Sequence, residues 1–163
     1  MPLLLIKGRF TPGIGVPDGD TCRFSPDNPD LVFLLKQGPK PPKYNSNNRT
    51  VPLRYEAIDA MEKAAKKSYA GAALKKNLEL LGVTAAISEP RGYILARQLD
   101  QNGRPVAFVF RGDPPEADGA DVHLDVNRLR DSVNYQLLLA DCVYPMFYDS
   151  LFFELRDELR QLT

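Results

Sequence analysis

One amphipathic helix divides a chain whose other segments are mostly short strands. Between about Glu62 and Leu81 the composition shifts to Ala, Lys, Leu and Glu, and small or apolar residues recur at steps of three and four. This spacing predicts a helix, which Gly82 ends. Strands precede it, and both strands and helices follow it, so the order of elements favours an α+β fold with a small barrel.

The strands are marked by apolar and β-branched runs that Gly, Pro, Asn and Asp separate. These runs predict strands at residues 3–10, 21–24, 31–35, 51–58, 83–87, 93–99 and 105–110. Gln101-Asn102-Gly103-Arg104 predicts a hairpin turn between the last two, because Asn-Gly is the strongest short hairpin signal. Helical spacing at 127–143 and 150–162 predicts further helices at the end of the chain.

A length of 163 residues fits one domain, residues 1–163, with a single core. Two segments are interpreted as inserted loops, a basic one at about 36–50 and an acidic one at about 111–131. They are either tolerated surface loops or contacts for a substrate or partner. Lys and Arg number 21, as do Asp and Glu, so any affinity for polyanions must come from local charge.

Cysteine usage and the amino-terminal segment bear on the compartment. Cys22 and Cys142 are far apart and lack metal-ligand spacing, so they indicate neither a disulfide framework nor a zinc site. The apolar run at residues 3–6 is too short for a signal peptide or a membrane span. We therefore expect a cytoplasmic protein that does not associate with membranes.

Two short segments carry clustered acidic and basic groups next to predicted strand ends. The first is Asp18-Gly19-Asp20-Thr21, and the second is residues 54–62. Asp20 in the first and Asp59 in the second can supply carboxylate oxygens to a hard cation such as calcium. Glu62 can reach a water beside that cation, and Arg54 offers a planar fork suited to two phosphate oxygens. Either segment alone is also typical of a turn or a helix start.

Four segments, taken in order, resemble the staphylococcal nuclease (thermonuclease) family. Asp18-Gly19-Asp20-Thr21 resembles its Asp-Gly-Asp-Thr turn, and residues 54–62 resemble its Arg and Ile-Asp-x-Pro-Glu segment. Gly92-Tyr93-Ile94-Leu95-Ala96 is similar to its Gly-Arg-x-Leu-Ala strand, and residues 133–144 to its Val-Asn-x-x-Leu-Val helix and the turn beyond. The resemblance implies a five-stranded OB-fold β-barrel with about three helices, calcium as cofactor, and hydrolysis of DNA and RNA.

The resemblance also implies roles for individual residues. Asp20 and Asp59 would be metal carboxylates, and the backbone carbonyl of Ala60 would be a further ligand. Glu62 would be the general base, and Arg54 would stabilise the negative charge that develops on the phosphate. The expected products carry 3′-phosphate and 5′-hydroxyl ends.

Two positions depart from the family pattern: Met61 stands where the family usually has proline, and the departure at Tyr93 is the more serious. Tyr93 stands where the family has a second catalytic arginine, and a tyrosine hydroxyl cannot reproduce a charged, two-pronged donor. Residues two apart in a strand face the same side at about 6 to 7 Å. Arg91 can therefore lean toward the place of the missing arginine and is the candidate for its role, Arg97 has the same parity but lies farther off, and the alternative is a real loss of rate. Tyr93 is assigned as a substrate contact.

Aromatic residues follow the last matching helix, in a region where the family keeps aromatics near the bound nucleotide. Tyr144, Phe147 and Tyr148 are predicted to stack on bases, which would suit single-stranded DNA or RNA as partner. The alternative is that Phe147 and Tyr144 pack the last helix onto the barrel.

The leading hypothesis is a calcium-dependent nuclease, a hydrolase of phosphodiester bonds. The main alternative is a catalytically impaired OB-fold module that binds nucleic acid or a protein without cutting. A third hypothesis, a regulatory interaction domain that uses the two inserted loops, predicts no metal dependence.

Overall fold

The computed structural model describes residues 2–60, 67–141, 143–145, 157–158 and 160–161, with the backbone alone at 59–60, 67–70 and 144. Its strands are β1 (Leu3–Phe10), β2 (Arg23–Pro26), β3 (Val51–Pro52), β4 (Arg54–Tyr55), β5 (Ile58–Ala60), β6 (Arg91–Leu99), β7 (Pro105–Arg111), β8 (Asp121–Val122) and β9 (Val143–Pro145). Its helices are a 3-10 helix (Pro29–Leu34), α1 (Lys67–Leu81), α2 (Val126–Asp131) and α3 (Val133–Leu139).

The main sheet is mixed and nearly closes on itself. β1 pairs antiparallel with β2 and β6, β6 pairs antiparallel with β7, and β2 pairs antiparallel with β3. β4 runs parallel to β7, and the chain passes from β3 into β4 through Leu53 alone. The result is a barrel-shaped sheet with about four helices, which confirms the predicted α+β class and is compatible with an OB-like barrel.

The barrel interior is filled by side chains that alternate along the strands. Phe10 and Phe24 pack at 5.4 Å between ring centroids, and both are fully buried. Gly92 must lack a side chain, because a Cβ there would collide with the Phe10 ring and lie 2.5 Å from the carbonyl oxygen of Phe110. The motif glycine on β6 is thus explained by packing.

The predicted helix after residue 62 is present from Lys67 onward. Ala73, Asn77 and Leu81 are fully buried at steps of four, so one face of α1 packs onto the barrel. Gly82 follows with a φ of 91°, and the N–H of Val83 donates to the carbonyl of Leu78. This is the left-handed glycine cap that the sequence predicted.

Two predicted strands are wrong. Residues 31–35 lie largely in the 3-10 helix, because the Asn28 side chain accepts from the N–H of Asp30 and Pro29 presets the first helical φ. Residues 83–87 form a turn instead, in which the N–H of Thr84 donates to the carbonyl of Ile87. In both segments local hydrogen bonding outweighs an apolar, β-branched composition.

The elements after residue 100 agree more closely with the predictions from the sequence. The hairpin around residues 101–104 joins β6 to β7 as predicted, with Gly103 at a φ of 81°. The helix predicted at 127–143 is two helices, because Ser132 is extended and caps the start of α3. Most of the helix predicted at 150–162 lies outside the described residues, and no described helix has the length and apolar character to cross a membrane.

A buried asparagine bonds α3 to the place where β4 pairs with β7. The side-chain amide of Asn134, which is fully buried, donates to the carbonyls of Glu56 at 2.9 Å and Ala107 at 3.0 Å. Its side-chain oxygen accepts from the N–H of Val109 at 2.9 Å. One side chain therefore bonds three main-chain groups, of which the carbonyl of Ala107 also accepts from the N–H of Glu56 at 2.8 Å.

Replacing Asn134 by Ala would remove this partner from the carbonyl of Glu56 and the N–H of Val109, whereas the carbonyl of Ala107 would still accept from the N–H of Glu56. We expect Asn134→Ala to lower the free energy of unfolding by about 3 kcal/mol, since each unsatisfied buried polar group costs about 1 to 3 kcal/mol. Asn102→Ala in the exposed hairpin turn is the control, with an expected change within about 0.5 kcal/mol. Urea unfolding measures both, and equal effects of the two variants would contradict this role of Asn134.

Candidate active site

The turn at residues 18–21 is held from both of its ends. The N–H of Asp18 donates to the carbonyl of Thr21 at 3.1 Å, and the Thr21 hydroxyl donates to the carbonyl of Leu53. Asn77 on α1 donates its amide to the carbonyl of Asp18 at 2.7 Å and accepts from the hydroxyl of Tyr55 at 2.8 Å. The position of this turn is therefore set by α1 and by the segment that contains β4.

Asp20, at the corner of this turn, forms an ion pair with Arg54. Nη1 of Arg54 lies 2.8 Å from Oδ2 of Asp20, and both side chains are largely buried, with exposures of 15% and 11%. The backbone supports the pair, because the N–H of Tyr55 donates to the carbonyl of Asp20 at 3.2 Å. Asp20 and Arg54, predicted from distant segments, are thus brought together.

Arg54 also lines a cleft of about 700 Å³. The opposite strand and turn contribute Gln98, Asp100, Arg104 and Val106 to the same cleft. This proximity follows from the register, because Arg54 pairs with Val106, and Val106 pairs with Gln98. Two arginines, on β4 and just before β7, therefore face one cavity.

Arg104 is held in place by the hairpin turn itself. Its Nε donates to Oδ2 of Asp100 at 2.7 Å, and its main-chain N–H donates to Oδ1 of the same carboxylate at 2.9 Å. The carboxylate of Asp100 thus fixes the Nε end of the Arg104 guanidinium. No residue that the structure describes bonds the two terminal amino groups of Arg104, which are the donors that suit a phosphate.

The segment after β4 brings the predicted metal ligands and one aromatic residue into register. β5 pairs antiparallel with β9, with Asp59 opposite Tyr144 and Ala60 opposite Val143. The side chains of Asp59 and Tyr144 are outside the described part of the chain, as are Glu62, Phe147 and Tyr148 entirely. The backbone alone therefore places the predicted metal segment beside the aromatic segment.

Arg91 lies at the other end of β6. It forms a bidentate pair with Asp27, at 2.9 and 2.7 Å, which lowers the pKa of Asp27. Gln98 lies seven positions after Arg91, which is roughly 23 Å along a strand. The structure does not bring Arg91 to the cleft that contains Arg54.

Tyr93 lies beneath the 111–131 segment. Its ring stacks on Phe110 at 4.8 Å between centroids, and its hydroxyl accepts from Nη2 of Arg128 at 3.1 Å. Arg128 in turn forms a bidentate pair with Glu116. Tyr93 is 7% exposed, and its contacts fix the second inserted segment to the barrel.

Arg104 is the candidate residue that the sequence analysis missed, although the sequence contains its signal. Gly103-Arg104-Pro105-Val106-Ala107 has glycine, arginine and alanine at the spacing of the Gly-Arg-x-Leu-Ala pattern, with Val in place of Leu. A similar run at 92–96 lacks the arginine. The two runs lie on neighbouring strands with Ala96 opposite Ala107, so only the fold shows which one reaches Arg54.

Glu56 is a buried acid that the sequence analysis also left without a role. It is 8% exposed, and its Oε1 has no hydrogen-bond partner among the described residues. Burial raises the pKa of its carboxyl, and the nearby charges of Arg97 and Arg54 only partly oppose that rise. The carboxyl therefore favours the protonated form more than an exposed glutamate does.

The donors at the site are of the kind that calcium prefers, although they are few. Asp20 is a largely buried carboxylate, and carboxylate oxygens are ligands that calcium prefers. Within the described ranges, no three His, Cys, Asp or Glu side chains form a metal-binding group. A complete calcium shell would therefore require Asp59 and the Ala60 carbonyl in addition to Asp20.

Comparisons with known proteins add no support to the resemblance that the four sequence segments indicate. No protein-family model matches the chain, and no curated protein matches it. Support for a nuclease-like site therefore comes from the four sequence segments and from the geometry of the cleft.

The buried carboxyl of Glu56 predicts a pH dependence of stability. Because its pKa is raised on folding, the native state binds this proton more tightly than the unfolded state, and stability is lost as the pH rises from about 4.3, the unfolded value, through the folded value. Glu56→Gln removes this titration. We expect the stability of the parent relative to Glu56→Gln to fall between pH 4 and pH 8 in urea unfolding. A relative stability that rises with pH would show that Arg54 and Arg97 stabilise an ionised Glu56.

Proposed function

We propose that this protein is a calcium-dependent nuclease that hydrolyses phosphodiester bonds of DNA or RNA and leaves 3′-phosphate ends. The observation that carries the proposal is the shared cleft of Arg54 and Arg104, with Asp20 bonded to Arg54. Two arginines that line one cavity suit a phosphodiester, because a guanidinium is a planar fork of N–H donors that matches phosphate oxygens. A buried carboxylate beside them supplies an oxygen ligand for a cation.

The proposal includes a barrel of the five-stranded OB type. Five strand positions support it, namely β1, β2, the β3–β4 segment, β6 and β7, which form a continuous circuit of pairing. The N–H of Leu53 donates to the carbonyl of Cys22, which continues the pairing of β2 with the β3–β4 segment. The helix α1 lies in sequence between the third and fourth of these positions.

Arg104 replaces Arg91 in this proposal as the second arginine. In the transition state, negative charge grows on the oxygens of the phosphorus that is attacked, and fixed cations stabilise it more than they stabilise the ground state. Arg104 is preorganised by Asp100, and Arg54 by Asp20, so little reorganisation is needed when substrate binds. Water attacks the phosphorus, and the bond to the 5′ oxygen breaks.

Asp20, Asp59 and the carbonyl of Ala60 would hold the calcium ion, which supplies Lewis-acid polarisation of the phosphate oxygens when bound. Glu62 would accept the proton of the attacking water. Tyr144 would stack on a base beside this segment, as would Phe147 and Tyr148. The pairing of Asp59 with Tyr144 supports this arrangement, since it joins the metal segment to the aromatic segment.

Single-residue variants on the two ends of the β6–β7 hairpin test the proposal. With single-stranded DNA and calcium, Arg104→Ala should reduce kcat by roughly 10² to 10³, the usual cost of one lost charge-stabilising donor. Arg91→Ala is the matched control, because it removes an arginine from an exposed pair worth at most about 1 kcal/mol, and its kcat should stay within about twofold. Circular dichroism checks that both variants are folded.

The other outcomes separate the hypotheses. A large loss in Arg91→Ala with none in Arg104→Ala would restore Arg91 as the second arginine. A folded parent that binds single-stranded DNA but does not cut it, with calcium or with chelator, would support the non-cutting binding module. Cutting that a chelator leaves unchanged would contradict the calcium requirement.

A further inference from the structure

The first inserted segment is docked against the β6–β7 hairpin that presents Arg104. The N–H of Lys36 donates to the carbonyl of Arg97 at 2.9 Å, and the N–H of Leu99 donates to the carbonyl of Lys36 at 2.8 Å. Farther along, the N–H of Lys43 donates to the carbonyl of Gly103 at 2.9 Å. Residues 36–43 are therefore attached to the hairpin at both ends.

Close packing reinforces this attachment. A Cβ on Gly103 would collide with the carbonyl oxygen of Pro41, and a Cβ on Gly38 would lie 3.4 Å from the carbonyl oxygen of Asp100. Pro42 is buried, although its neighbours on both sides are exposed. Lys36 and Gly38 line the same cleft as Arg54 and Arg104, so the docked segment forms one wall of the candidate active site.

The charge of this wall is uniformly positive. Residues 36–49 contain Lys36, Lys40, Lys43 and Arg49 and no acidic residue, in a chain whose formal net charge is zero. The three lysines are exposed. None of them forms an ion pair with a residue that the structure describes, so their charge is available to an anion.

Two aromatic rings lie at the ends of the docked segment. Phe33 is 47% exposed, and its ring meets that of Tyr44 edge to face at 6.4 Å between centroids. Tyr44 directly follows Lys43, which is bonded to the hairpin turn. An exposed aromatic ring and exposed cations in one short segment suit unpaired bases and their phosphates.

We infer that residues 33–44 form a binding track that guides single-stranded nucleic acid into the cleft of Arg54 and Arg104. Lys36, Lys40 and Lys43 contact successive phosphates, and Phe33 stacks on a base. The inference extends the proposed nuclease function, on which the chemistry in the cleft rests, while binding along the track is a separate property. A single strand suits this track better than a duplex, because its bases are free to stack on an exposed ring.

Binding to a fluorescently labelled single-stranded oligonucleotide, in chelator so that no cleavage occurs, tests the track. In 0.1 M salt, the variant K36Q/K43Q should bind about 20-fold more weakly than the parent, and its salt dependence should be shallower by about 1.4 in log K against log salt. The control K75Q/K76Q removes the same charge from α1, outside the cleft, and should keep both values. Phe33→Leu should weaken binding by roughly 5-fold or more, with an unchanged salt slope.

Three results would overturn the inference. These are equal weakening in K36Q/K43Q and K75Q/K76Q, an unchanged salt slope in K36Q/K43Q, or tighter binding of the parent to a duplex of the same sequence. Cleavage with calcium is measured in parallel, where K36Q/K43Q should raise KM and leave kcat within about twofold. If the parent cuts DNA but K36Q/K43Q binds as tightly as the parent, the binding track is contradicted and the proposed nuclease function is retained. If the lysine substitutions weaken binding but the parent never cuts DNA, the proposed nuclease function is contradicted and the binding track is retained.

Discussion

Two buried asparagine side chains stabilise the short pairing of β4 with β7, on which the candidate site depends. β4 has only two residues, yet it positions Arg54 against β7 and supports Asp20 on its other side. Asn77 bonds the turn at 18–21 and Tyr55 from α1, and Asn134 bonds Glu56 and Ala107 from α3. Because each amide satisfies several buried groups at once, small displacements of either helix would be costly.

Ion pairs balance the charge of the candidate arginines, in a chain whose formal net charge is zero. Arg54 is paired with Asp20, Arg104 with Asp100, and Arg91 with Asp27, so each charge has a local partner. The lysines at residues 36–43 differ, since they are exposed and lie in a segment without acids. Because the net charge is zero, the long-range field is weak, and these lysines would attract a polyanion only at short range.

Much of the architecture could be predicted from local signals, and the exceptions have physical causes. The bounds of β1 follow from an apolar run between turn residues, the hairpin turn from Asn-Gly chemistry, and the cap of α1 from the left-handed conformation of Gly82. Residues 31–35 differ because Asn28 and Pro29 start a helical turn. The choice between Tyr93 and Arg104 depends on which end of the hairpin meets β4, and strand register is not contained in a five-residue motif.

The chemistry of the ends that cleavage leaves tests the central claim most directly. The parent protein and Asp20→Asn would be incubated with single-stranded DNA in calcium and in chelator, and the products analysed by mass spectrometry. The proposed mechanism predicts 3′-phosphate and 5′-hydroxyl ends with the parent in calcium, and their loss both in chelator and in Asp20→Asn, which removes a carboxylate ligand. Products with 5′-phosphate ends, or no cleavage by the folded parent in calcium, would contradict it.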